Sequence, residues 1–179
     1  MTDSLVFTVI GPDRPGLVGR LAATVADHDG NWLDSRMAVL AGQFAGVVLA
    51  TVPEARADDL RRALTALDSE GLSIVVQPAP GAAAPRAYHR VRLEVFGQDH
   101  PGIVRDIARA LSERAVNIAE METERSTGAM SAEAMFRLHA EIELPETVAT
   151  DELREALELL AGDIMVEVDL APDPDADRG

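Results

Sequence analysis

One segment of this sequence is written twice. Phe7-Thr-Val-Ile-Gly-Pro-Asp-Arg-Pro-Gly-Leu-Val aligns with Leu93-Glu-Val-Phe-Gly-Gln-Asp-His-Pro-Gly-Ile-Val at a shift of 86 positions. The register persists further along: Leu21, Ala22 and Val25 meet Ile107, Ala108 and Leu111, and Asn31 meets Asn117. A repeat of this length restricts the fold to one supersecondary module used twice. A chain of 179 residues then has two small cores to fill, not one of ordinary size.

In the first copy, Leu5 to Ile10 is a β-prone run, and Gly11 to Gly16 has turn chemistry. Leu17, Val18, Leu21, Ala22 and Val25 recur at helical spacing. Pro15 suits a first helical turn, where its missing N–H has no intrahelical partner to lose, so the helix is expected to begin at Pro15-Gly16 and to end at Gly30 and Asn31. Trp32 to Leu40 and Phe44 to Val52 read as strands about an Ala41-Gly42-Gln43 turn. Asp58 to Leu67 reads as a second amphipathic helix stopped by Gly71, and Leu72 to Gln77 as a last strand. The order is β-α-β-β-α-β, a ferredoxin-like split βαβ of the α+β class. The second copy repeats it with Arg90–Phe96, Gly102–Arg114, Asn117–Arg125, Glu133–Glu143, Asp151–Ala161 and Met165–Leu170. The expected division is a first domain over 1–77, a Pro/Ala/Gly linker over 78–88, a second domain over 89–170, and a disordered acidic tail over 171–179. The two modules are expected to share a sheet interface. Asp173, Asp175 and Asp177 in the tail lack the glycine and the bidentate glutamate of a calcium loop.

A formal charge of −15 repels the phosphate backbone that supplies most nonspecific nucleic-acid affinity, which argues against direct DNA binding. The absence of cysteine excludes disulfides, thiolate metal sites and a cysteine nucleophile. No apolar run approaches the roughly 20 residues of a membrane helix, and the start has no basic segment ahead of an apolar one, so a soluble cytoplasmic protein is expected. No cofactor motif is present: there is no P-loop and no G-x-G-x-x-G, and the nucleophile elbow G-x-S-x-G is missing too. His28, His89, His100 and His139 show no i, i+4 pairing, so neither a metal site nor an enzyme is expected.

Chemistry concentrates in the repeated turn between strand and helix. Such a turn offers free backbone N–H groups and the positive end of a helix dipole, which favour a carboxylate or a phosphate. Gly16 and Gly102 let a ligand approach the backbone closely. Asp13 and Asp99 either cap their helices or accept bonds from a ligand ammonium. Donors for an anion beside a carboxylate for a cation suit a free amino acid. Asn31 and Asn117 either cap the helix C-termini, the reading slightly favoured, or point an amide at the same pocket. His100 stands where the first copy has Arg14, and Trp32, at a strand start, is read as core or interface.

The repeated G-x-D-x-P-G-[LI]-V, opening a βαββαβ unit, resembles the ACT domain family of small-molecule regulatory modules. Asn31-Trp-Leu-Asp-Ser-Arg-Met-Ala-Val-Leu-Ala-Gly-Gln-Phe further resembles the corresponding segment of the glycine cleavage system transcriptional repressor group, built of two ACT domains. The resemblance spans about Leu5 to Leu170. It implies ligand contacts from Asp13, Arg14, Pro15, Gly16, Leu17, Val18 and Asn31, and from Asp99, His100, Pro101, Gly102, Ile103, Val104 and Asn117. It also implies a homodimer that senses glycine or another small amino acid and acts through a protein partner, such as a DNA-binding activator, on amino-acid or one-carbon metabolism. The alternative is a detached regulatory subunit of a metabolic enzyme such as a formyltetrahydrofolate deformylase. The second copy departs from the group at Asn117-Ile-Ala-Glu-Met-Glu-Thr-Glu-Arg, which lacks the D-S-R triplet, so one site is expected to be degenerate or to serve dimer contacts.

Overall fold

A computed structural model describes residues 1–80, 87–127, 134–160 and 167–172. The chain divides into two compact units, Met1–Ala83 and Ala84–Gly179.

In the first unit the order is β1 (Thr2–Pro12), α1 (Leu17–Ala26), β2 (Asn31–Leu40), β3 (Gln43–Pro53), α2 (Ala57–Ala66) and β4 (Ser73–Pro78). The four strands form an antiparallel sheet ordered β2-β3-β1-β4. Alternation decides its two faces. Leu5, Phe7 and Val9 of β1 and Val48, Ala50 and Val52 of β3 point to one side, where they pack with Leu17, Leu21 and Val25 of α1 and Leu60 and Leu64 of α2. Trp32 packs on this core, its ring edge-on to Phe7 with centroids 6.0 Å apart. On the other side, register rows run Val6–Leu49–Asp34, Thr8–Val47–Arg36 and Ile10–Ala45–Ala38 across β1, β3 and β2. Val75 of β4 lies beside Thr8.

The second unit repeats this with β5 (Tyr88–Gln98), α3 (Ile103–Ser112), β6 (Asn117–Thr127), β7 (Ala134–Pro145), α4 (Thr150–Leu160) and β8 (Glu167–Pro172), and its sheet is ordered β6-β7-β5-β8. Leu93, Val95, Ile107, Leu111, Leu138, Ile142 and Leu153 are at its centre. The bulge in β2 between Trp32 and Asp34 recurs in β6 between Ile118 and Glu120. Its outer face carries the rows Arg92–Glu141–Glu120, Glu94–His139–Glu122 and Phe96–Arg137–Glu124.

Three expectations change. Pro15 and Gly16 stay in the turn and α1 starts at Leu17, because Gly16 takes φ +90°, a left-handed geometry that no helix continues through; Gly102 does the same at φ +97°. Asn31 and Asn117 are not helix caps. The helices end at Asp27 and Glu113, the left-handed residues after them are Asp29 and Ala115, and both asparagines open strands. Strands β1 and β3 are also longer than their apolar cores, since ladder pairing continues through polar ends down to Thr2↔Pro53 and Pro12↔Gln43. The expected elements at Glu133, Ala161 and Met165, linker positions 81–86 and tail positions 173–179 lie outside the described residues.

Candidate functional site

The Asp13 turn leaves β1 at Pro12, and its geometry follows from two backbone anchors. Asp13 N–H donates to the Gly42 carbonyl at 2.9 Å, tying the turn to the β2–β3 hairpin, whose tip is left-handed at Ala41 and Gly42. Arg14 reaches the other way and donates to the Glu70 carbonyl, while Arg20 pairs with the Glu70 carboxylate at 2.7 Å. Gly11 permits this closeness: a Cβ there would lie 2.7 Å from the Gly71 carbonyl oxygen and 2.8 Å from Leu72 Cδ2. Arg14 is therefore committed to holding the turn.

Above these anchors the turn is open. A Cβ on Gly16 would meet nothing within 4 Å. The first intrahelical bond runs from Arg20 N–H to the Gly16 carbonyl at 2.9 Å, which leaves the amides of Leu17, Val18 and Gly19 outside the ladder, at the positive end of α1. Leu17 itself is buried, whereas Pro15 and Val18 are exposed. Neither helix start has a side-chain cap, so neither Asp13 nor Asp99 serves as one.

The two aspartates differ in what they do instead. Asp99 N–H donates to the Ala134 carbonyl at 2.8 Å, the counterpart of the Asp13 anchor, and the Asp99 carboxylate forms an ion pair with Arg125 Nε at 2.7 Å. Asp13 is exposed, and its carboxylate has no hydrogen-bond or ion-pair partner among the described residues. The register explains why. Arg125 lies opposite Phe136 on the hairpin, and the matching position opposite Phe44 is Val39. A guanidinium thus meets the carboxylate of the second turn, and an apolar side chain stands at the matching position of the first. The sequence held this signal in the 86-position shift, but it had no meaning until β6 was seen to return to the turn.

The remaining predicted residues divide: those of the two turns stay with them, but Asn31 and Asn117 open their strands at the opposite end of each sheet, in the rows of Ser4 and Arg90 and not those of Pro12 and Gln98, so neither shares a pocket with the turn of its own domain. His100 Nδ1 lies 3.3 Å from the Pro101 carbonyl oxygen, Ile103 is buried, and Val104 is partly exposed. Beside them in α3, Arg105 bonds the Asp106 carboxylate at 3.0 Å and holds it below the usual carboxylate range. Asn31 is exposed opposite Thr51, and Asn117 donates to the Glu143 carboxylate at 3.0 Å. A groove of about 320 Å³ lies elsewhere, on the outer sheet face of the second unit, lined by Arg92, Glu94, Glu120, Met121, Glu122, His139, Ala140 and Glu141. Among the described residues no three His, Asp or Glu side chains are grouped to hold a metal, and no polar side chain is buried.

Residues 3–77 and 91–158 each match a model of the ACT domain. The chain belongs to the ACT domain family. Its two ACT domains are the ferredoxin-like units described above, and both repeated turns fall inside or at the start of the matched segments. A UPF0237 protein of Methanopyrus kandleri is 38% identical over 89 residues, 48% of this chain and 96% of the relative, so that relative is about as long as a single ACT domain here. A UPF0237 protein of Methanosarcina mazei is 36% identical over 78 residues, 43% of this chain and 84% of its own length. The crystal structure of an unknown protein from Galdieria sulphuraria matches 97% of this chain and 99% of its own at 28% identity, with a TM-score of 0.86. That of a candidate glycine cleavage system transcriptional repressor covers the same shares at 19% identity, with a TM-score of 0.72, which shows a common tandem fold. No helix among the described residues is long and apolar enough to cross a membrane.

Proposed function

We propose that this regulatory ACT-domain protein senses a small free amino acid, glycine or serine in class, at the Asp13 turn of its first domain. The observation that carries the reading is the exposed Asp13 carboxylate, left without an internal cation, beside the free amides that open α1. A carboxylate takes the ligand ammonium through a charge-assisted bond, and the amides take its carboxylate. In the second domain Arg125 already occupies Asp99, so the two turns have unequal affinity and the first is the sensor. Leu17 and Ile103, both buried, hold the helices and do not touch ligand; Pro15, Gly16 and Val18 line the open side.

The output is a protein contact. A net charge of −15 disfavours DNA, and the shared fold with a candidate glycine cleavage repressor supports control of amino-acid or one-carbon metabolism through a DNA-binding partner. Ligand binding shifts the equilibrium of that partner interface.

A thermal-unfolding screen of purified protein against free amino acids tests this. A ligand at 100 times its dissociation constant adds about 2.7 kcal/mol, several degrees in midpoint. The shift is expected with glycine or serine and is lost in Asp13→Ala while Asp99→Ala retains it. No shift with any amino acid, or loss only in Asp99→Ala, overturns the assignment.

A further inference from the structure

Among the described residues the Asp13 carboxylate has no partner, although a guanidinium follows it directly in the chain and Arg20 is the next cation along. Two guanidiniums at the second turn behave otherwise. Arg105 turns onto Asp106, the next residue, with bonds of 3.0 and 3.2 Å, and Arg125 takes the Asp99 carboxylate at 2.7 Å. In the first domain one residue draws both arginines away from Asp13. Glu70 accepts Arg14 on its backbone carbonyl and Arg20 on its carboxylate, the latter at 2.7 Å.

The fold fixes that acceptor in place. Glu70 ends the short 3-10 turn Leu67–Glu70 that follows α2, and Leu67 and Leu72 on either side of it are buried in the core. Gly71 closes the turn in left-handed geometry, at φ +84°, with its N–H bonded to the Asp68 carbonyl at 2.9 Å. A Cβ on Gly71 would lie 3.9 Å from the Arg14 guanidinium, which places that group against the end of this turn. At the 86-position shift the second domain has His100 and Asp106 in place of Arg14 and Arg20, so neither arginine of the arrangement is repeated. There the carboxylate of the ligand turn is the one an arginine covers. We propose that Glu70 is a positioning residue for the first turn: by holding Arg14 and Arg20 to itself, it keeps the Asp13 carboxylate open to the ammonium of a ligand. Glu70 touches no ligand in this arrangement. An exposed carboxylate beside an unopposed guanidinium forms an ion pair, which an incoming ammonium has to displace, and affinity falls by the strength of that pair.

This inference rests on the reading of the Asp13 turn as the sensor, and its test on the full chain has one arm that needs no ligand. A crystal structure of Glu70→Ala is expected to show the Arg14 guanidinium on the Asp13 carboxylate. Titration calorimetry with glycine and with serine is expected to give a dissociation constant up to about fivefold higher for Glu70→Ala than for wild type, the range of an exposed ion pair. Glu70→Ala combined with Arg14→Met removes the competing cation as well and is expected to recover the wild-type constant, the turn still being anchored by the bond from Asp13 N–H to the Gly42 carbonyl. A Glu70 that only stiffened the fold would leave the double variant binding no better than Glu70→Ala. That result overturns the proposal, and so does an Arg14 that stays clear of Asp13 in the Glu70→Ala crystal. A wild type that binds neither amino acid overturns the sensing reading, and the crystal structure then decides by itself whether Glu70 keeps the two charges apart.

Discussion

Replacing Gly16 by alanine separates what the turn needs for folding from what it offers to a ligand. Gly16 sits at φ +90°, ψ 0°, outside even the small left-handed region open to residues with a Cβ. Its side-chain direction is empty to 4 Å, so the new methyl clashes with nothing and backbone strain is the whole native-state cost. That strain is about 1–2 kcal/mol. The loss of unfolded-chain freedom returns roughly 0.4–1 kcal/mol, leaving a net destabilisation near 1 kcal/mol. For a unit of Met1–Ala83, this lowers the midpoint by about 4–8 °C. Calorimetry of Gly16→Ala beside Gly11→Ala makes the reasoning testable. The Gly11 methyl would press on a backbone carbonyl at 2.7 Å, and overpacking of that kind costs about 1–3 kcal/mol, with a larger fall in midpoint. The argument fails if Gly16→Ala is as stable as wild type, or if it is destabilised more than Gly11→Ala. If the open space above Gly16 receives the ligand, the same methyl also weakens the amino-acid shift.

Other outcomes follow from the same geometry. Val39→Arg places in the first domain the guanidinium that Arg125 provides in the second, and the amino-acid thermal shift is expected to shrink while stability changes by less than about 1 kcal/mol; an undiminished shift refutes the role given to Arg125. Leu60→Ala, in a side chain fully withdrawn from water, is expected to cost about 2–5 kcal/mol by denaturant titration, against under 0.5 kcal/mol for Leu159→Ala at 82% exposure. Asp106 has its carboxyl held below the ordinary value by Arg105, so its contribution to stability is present above the unfolded aspartate range, near pH 4, and is lost as pH falls through its lower folded value. The midpoint difference between wild type and Asp106→Asn should therefore close in acid, and a difference independent of pH would count against the pairing.

The amino-acid order alone carried the doubled module, its β-α-β-β-α-β succession and the location of both polar turns. These are properties of short-range pattern: alternation selects which strand residues face the core, helical spacing selects Leu17, Leu21 and Val25, and a duplicated stretch announces its own boundaries. Even locally, short-range pattern misleads where two backbone preferences compete. Proline at a helix start and glycine beside it pointed to opposite conformations, and the left-handed Gly16 prevailed; asparagine after a helix suggested a cap, but the strand ladder claimed Asn31. That Arg125 meets Asp99 while Asp13 stands free, that Arg14 is engaged by the Glu70 carbonyl, and that one outer sheet face is neutral and apolar while its twin is charged, emerge only in the folded chain. Those facts join residues that are tens of positions apart. Register between strands, which follows from packing the whole sheet on its helices, brings such residues together, and no window along the chain contains it.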